Sequence, residues 1–354
     1  MLTLRKLIHD YENQFIIPQH VILLQPYISV IVTAYNRKEF LKDALESLLM
    51  QNLPEDQFEV ILITNFEYNT EDYKFLRIKH KVMEGSFREY LVNGVELSEG
   101  QIICFMDDDD IFMENKLNNV RKIFQTYPEV DYYRHNFKEV DYNLKPIWRN
   151  SVKHVKKTIF TTSSLFKNNL IYLTFNEVFF NSSTIAFRKP IFQTGIDKSF
   201  SKDGAPDLML WIIAIINANA IYIDKDEFSL YRIHKNSAIH SDKSKEEHNC
   251  IPNEDNSLIL NLEVDNQGRK ALLDFIVLKS EVLSSLFCEF DFTLRHYIMN
   301  FLLILLSANK FKAFLVFLKQ LKVLNKPLIV KMIKKEDSMA KLLGRFLALL
   351  KLAN

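Results

Sequence analysis

The run Ile102-Ile103-Cys104-Phe105-Met106-Asp107-Asp108-Asp109-Asp110 sets five apolar residues directly against four carboxylates. A short, continuous apolar stretch that stops at a polar turn predicts a strand buried on both faces. Four adjacent like charges repel one another, and folding them against such a strand is costly unless a cation joins them. The plainer reading is a solvated acidic loop that caps the next helix, because Asp is favoured at N-caps. The surrounding chain chooses between the two.

Upstream, residues 28–33 (ISVIVT) and 58–64 (FEVILIT) have the same character of short buried strands. Between them Phe40, Leu41, Ala44, Leu45, Leu48 and Leu49 recur at helical spacing with Glu39, Asp43 and Glu46 opposite, which predicts a helix over 38–51. Further helices are expected over 71–79 and 87–97. Alternation of this kind implies right-handed crossovers and a mostly parallel, Rossmann-like α/β sheet flanked by helices. Ligands of such sheets collect beyond the carboxyl ends of the strands. Residues 34–37, the turn at Thr64-Asn65 and the four aspartates therefore belong on one edge.

Beyond Asp110 the pattern changes. A helix is expected over 115–126, strands over 130–140 and 146–150, and a polar loop with a short helix over 151–176. A strand over 183–188, a helical turn from Pro190, an apolar helix over 208–216 and two short strands, 220–223 and 227–233, follow. From residue 256 the pattern is almost entirely helical. These shifts divide the chain into a leader (1–27), an α/β domain (28–250) and an all-helical C-terminal region (251–354).

With 354 residues, 48% hydrophobic and 25% charged, the chain can bury a sizeable core, and its net charge of +1 points to no nucleic-acid partner. Cys104, Cys250 and Cys288 are far apart, which favours a reducing compartment; the spacing of His240, His248 and Cys250 fits no common zinc site. No secretory signal pattern and no run of eighteen apolar residues is found, so the expectation is a cytoplasmic, non-spanning protein. Residues 310–354 carry eleven Lys/Arg against two acids. Basic amphipathic helices there suit either peripheral contact with an anionic membrane or a subdomain that shows its lysines to water.

Five pieces occur in a particular order: residues 28–37 (ISVIVTAYNR), Ser47-Leu48-Leu49-Met50-Gln51, residues 103–112 (ICFMDDDDIF), Asp207-Leu208-Met209-Leu210-Trp211, and Tyr231-Arg232-Ile233-His234-Lys235-Asn236-Ser237. As a set, spanning about residues 27–240, they resemble the family 2 glycosyltransferases of the GT-A fold. The resemblance implies transfer of a sugar from a nucleotide-diphosphate sugar to a hydroxyl of a glycan or lipid-linked acceptor, with inversion, and lends weight to the reading of the tail as a peripheral contact at the inner face of the cell membrane. It implies Mg²⁺ or Mn²⁺ held by Asp109, with Asp107 in support and His234 touching the metal or diphosphate. A hard cation with carboxylate ligands suits a charged leaving group. By the same resemblance Thr33, Tyr35 and Arg37 cradle the base and ribose, Asp108 contacts the ribose, and Asp107, Thr64 and Arg232 complete the nucleotide-sugar site. Asp207 is the implied base, which also suits an N-cap, with Asp203 as rival; Trp211 is placed at the acceptor cleft.

Two departures stand out. Thr64 and Asn65 replace the family's Asp pair after the second strand, and Leu91 and Val92 stand where it carries Arg-Asn. They leave the nucleotide open and admit a second reading, an inactive domain that serves as a binding or assembly subunit. A third, a two-metal nucleotidyltransferase, lacks a glycine-rich phosphate loop in a chain with only seven glycines.

Overall fold

A computed structural model describes residues 26–147, 154–162, 173, 181–196 and 206–235. The leader expected over 1–27, the polar connector, Asp203 and the C-terminal helices fall wholly or mostly outside these residues.

The first strand, β1 (Ile28–Ala34), is buried along its whole length, as its β-branched run requires. It pairs in parallel with β2 (Phe58–Thr64) on one side and β4 (Ile102–Asp107) on the other, and β2 pairs in parallel with β3 (Ile78–Val82). Alternate residues face opposite layers. Val30, Val32, Leu62, Cys104 and Met106 pack with Leu41, Leu45 and Leu48 of α1 (Leu41–Leu49). Ile31, Ile61, Ile63 and Phe105 pack instead with Tyr90, Leu91 and Val95 of α2 (Phe87–Leu97), which starts at a Ser86/Glu89 capping box. Gly94 lets α2 lie close on β1: a Cβ there would come within 2.6 Å of the Ile31 side chain.

After β4 the chain makes β5 (Ile111–Phe112), α3 (Lys116–Thr126), β6 (Val130–Val140), β7 (Ile159–Thr162), β8 (Ile185–Arg188), α4 (Lys189–Ile196), α5 (Pro206–Asn217) and β9 (Ala220–Arg232). The sheet order is β3-β2-β1-β4-β8-β6-β9-β5, with β7 also on β9. Here the expectation of a mostly parallel sheet needs correction. β8 runs antiparallel to both β4 and β6, β5 and β7 run antiparallel to β9, and only β6 and β9 are parallel in this half. The sheet is mixed.

Three local expectations also change. Residues 71–79 do not form a helix; a single 3₁₀ turn, Glu71–Tyr73, leads to the edge strand β3, whose Lys79 and Lys81 suit an exposed edge. The two strands expected over 220–233 are one strand, irregular in its pairing with β6 where polar residues interrupt the apolar pattern. Thr161 and Thr162, read as loop, belong to β7, where Ile159 and Thr161 turn inward.

Candidate active site

The parallel strands end together. Thr33 on β1 is in register with Asp107 on β4, and Ala34 with Thr64 on β2, so the three predicted segments share one edge. The second half of the sheet brings the distant motifs there. Ile111 pairs with Leu230, which runs the end of β9 back along the aspartates. The Arg232 backbone N–H donates to Asp110 Oδ1 at 3.1 Å, and His234 Nε2 lies 2.9 Å from Asp109 Oδ2.

The four carboxylates are held in two ways. Arg37 engages the central pair: its Nε donates to Asp108 Oδ2 at 2.9 Å, one terminal nitrogen bonds Asp108 Oδ1, and that same nitrogen lies 2.8 Å from Asp109 Oδ2. The outer pair is held by neutral groups. Asp107 Oδ2 accepts from the Ser182 hydroxyl at 2.7 Å, and the Asp107 N–H donates to Ser183 Oγ. Asp110 is fully buried with its Oδ2 lacking a hydrogen bond of good geometry. Burial and the neighbouring Asp109 push its carboxyl up to about 8. Burial, with Asp110, Asp207 and Asp109 adding repulsion, raises Asp107 well above the ordinary range. Burial also lifts Asp108 to about 6, against the pull of Arg37.

Asp207, in the first turn of α5, reaches the same place from the other half. Its Oδ2 accepts from the Asn181 N–H at 2.8 Å and its Oδ1 from the Ser182 N–H at 3.1 Å. Burial pushes its carboxyl up to about 6, with those two N–H groups opposing. Ser182 therefore joins Asp107 through its hydroxyl and Asp207 through its backbone. Beneath the turn, Lys116 bonds the Ser183 carbonyl and sits over the Phe112 ring, and burial pushes its ammonium down to about 7.

At the other side Tyr35 is 55% exposed and meets Tyr90 edge-on. Asn36, at φ 55°, turns the loop, and its amide pairs with Asn65: the Asn36 N–H donates to Asn65 Oδ1 at 2.8 Å, and Asn65 Nδ2 donates to Asn36 Oδ1 at 2.7 Å.

Three of the expected site residues are turned into the protein. Thr64 is fully buried, its hydroxyl donating to the Phe66 carbonyl and meeting His80, so Asn65 rather than Thr64 faces outward. Arg232 is buried among protein partners. Its guanidinium donates to the Asp109 carbonyl, the Tyr142 carbonyl and the Asp43 carboxylate and lies over Phe40, clamping the β4 loop to α1. Trp211 is 0% exposed and packs against Tyr132 in the core. Conversely, the Asn181–Thr184 turn and the Asn36–Asn65 pair join the site without belonging to any of the five sequence pieces as a unit. The polar run Asn181-Ser182-Ser183-Thr184 directly before an apolar strand was the available signal.

Among known proteins, residues 29–195 match the family described as Glycosyl transferase family 2. That match takes in just under half of the chain. The family 2 match ends before Asp207, Arg232 and His234. Two curated relatives are each described as an uncharacterized glycosyltransferase. The one from Haemophilus influenzae is 31% identical over 114 residues, 30% of this chain and 38% of that protein. The one from Rickettsia bellii is 35% identical over 106 residues, 27% of this chain and 15% of that protein. The aligned part thus spans well under half of either relative. Among solved structures, S. aureus TarS 1–349 in complex with UDP-GlcNAc superposes with a TM-score of 0.56 at 19% identity, covering 80% of this chain and 82% of that one. The family 2 domain and TarS share a fold.

Proposed function

We propose that the chain transfers a sugar from a nucleoside-diphosphate sugar to an acceptor hydroxyl, with inversion and with a divalent cation. The observation that carries this reading is the meeting of Asp109 and His234, and of Asp107 and Asp207 through Ser182, at the edge where the parallel strands end.

On the donor side Thr33, Tyr35, Arg37 and the Asn36–Asn65 pair receive the nucleotide. On the acceptor side Asp207 takes the hydroxyl proton: a carboxyl pushed up to about 6 is ionised at neutral pH yet more basic than an exposed Asp. Two backbone N–H groups fix its orientation, one on each oxygen, and leave the remaining lone pairs for the acceptor.

Asp109 and His234 are the residues that would hold Mg²⁺ or Mn²⁺. The donor set suits it, a carboxylate and an imidazole 2.9 Å apart, but among the described residues no group of three or more His, Cys, Asp or Glu is arranged to hold an ion. Such a cation would draw its other ligands from the diphosphate and water. When bound, it stabilises negative charge on the leaving diphosphate.

UDP-GlcNAc, the ligand held by TarS, is the first donor to test. Incubation with Mn²⁺ is expected to release UDP, and Asp109→Ala to lower the rate by about a thousandfold, the scale of losing an electrostatic contact to the transition state. The inactive-domain reading is favoured by the burial of Thr64 and the structural use of Arg232. A folded chain with no turnover of any common UDP-, GDP-, dTDP- or CDP-sugar would support it.

A further inference from the structure

Four adjacent aspartates are costly to fold without a nearby cation, and Arg37 supplies one. Its guanidinium grips Asp108 with two nitrogens and reaches Asp109 Oδ2 at 2.8 Å, while His234 Nε2 approaches the same Oδ2 at 2.9 Å. A carboxylate oxygen has two lone pairs, so Asp109 Oδ2 is fully used. The other oxygen of Asp109 remains within the field of the same guanidinium, where a second positive charge meets like-charge repulsion. The Asp108 and Asp109 side chains are only 5% and 12% exposed, so water screens these charges weakly.

Arg37 is also well placed to change partners. It follows Asn36, whose left-handed turn and amide pairing with Asn65 anchor the loop backbone and leave the long side chain as the moving part. The planar guanidinium fork that matches a carboxylate matches a phosphate equally well.

We propose that Arg37 competes with the divalent ion for Asp109. This rests on the nucleotide-sugar reading above. The ion alone is held off; arriving with a nucleoside diphosphate, it brings the phosphate oxygens that draw the guanidinium away from Asp109. Arg37 then serves as a clamp on the diphosphate rather than on the ribose. The exchange involves no net loss of positive charge at Asp109.

The test is Mn²⁺ binding to the full chain without nucleotide, read from the loss of the free-ion signal by electron paramagnetic resonance. Arg37→Gln is expected to bind Mn²⁺ at least tenfold more tightly than wild type, and adding Asp109→Asn to remove that gain. Arg37→Lys, whose single ammonium spans two carboxylates poorly, should gain about threefold. It decides the matter if Arg37→Gln fails the circular-dichroism check for folding. Affinity no higher than wild type in the folded variant, including no binding by either protein, overturns the proposal. Adding UDP to the wild type tests the underlying reading separately. Failure to take up Mn²⁺ even then rejects the metal-nucleotide role, while the comparison of wild type with Arg37→Gln without nucleotide still stands on its own.

Discussion

The two halves of the sheet handle buried charge differently at the edge they share. On the parallel side Asp108 and Asp109 meet a full opposite charge on a long side chain that follows β1. On the returning side Asp107, Asp110 and Asp207 meet backbone N–H groups and hydroxyls fixed by the Asn181–Thr184 turn and the end of β9. The first arrangement is replaceable, since an ion pair can exchange one cation for another. The second is rigid and expensive, because buried carboxylates held by neutral donors lose hydration and repel one another. A site that exchanges ligands on one side and positions a proton acceptor on the other needs that asymmetry.

A pH profile tests the returning side most strongly. Asp207 must be ionised to accept a proton, so kcat/KM for the active donor should rise about tenfold per pH unit below about 6 and level off above it. A flat profile from pH 4.5 to 7 in a protein shown to stay folded would remove Asp207 from the chemistry.

Arg232 sharpens the comparison next. Although it carries a full charge, it is built into the returning half as a clamp with three oxygen partners. Removing one member of a buried charged network costs about 3–5 kcal/mol, so Arg232→Ala should lower Tm by roughly 10 °C. UDP affinity measured well below that temperature should change little. Lost UDP affinity with Tm unchanged would restore the diphosphate role that the sequence suggested.

A smaller effect concerns stability. The folded-state value of Asp110 is raised to about 8, so the folded protein keeps a proton that the unfolded chain has released above the ordinary Asp range. That contribution favours folding at acid pH and is lost as pH rises toward and through 8. Wild-type Tm is therefore expected to fall between pH 6 and 8.5 by a few degrees, and Asp110→Asn to flatten the fall. An equal slope in both proteins would show that Asp110 ionises freely.

The parallel half was legible because each of its strands is local and continuous. The residues of β1, β2 and β4 carry their burial in their composition, and the rule that parallel strands present ligands at one end does the rest. The returning half was less legible. That β8 runs antiparallel to β4, or that β5 fastens β9 over the aspartates, depends on pairings more than eighty residues apart that no local pattern encodes. The same distance hid the fate of Arg232: a motif gives its position, whereas its three acceptors come from α1, the Asp109 loop and the turn after β6. Trp211 is ambiguous in the sequence for a simpler reason. On an apolar helix, a spacing that fits a motif also fits a core, and this side chain is core.

In the proposed reaction Asp109 serves donor and cation binding while Asp207 serves the chemistry. The most direct measurement is calorimetric titration of UDP with Mn²⁺ into wild type, Asp109→Ala and Asp207→Asn, paired with the turnover of each protein on the active donor. The account predicts that Asp207→Asn binds UDP within about threefold of wild type yet loses turnover by about a hundredfold or more, the range of a general base, while Asp109→Ala loses both. Asp207→Asn turning over at the wild-type rate, or losing UDP binding as fully as Asp109→Ala, would contradict it.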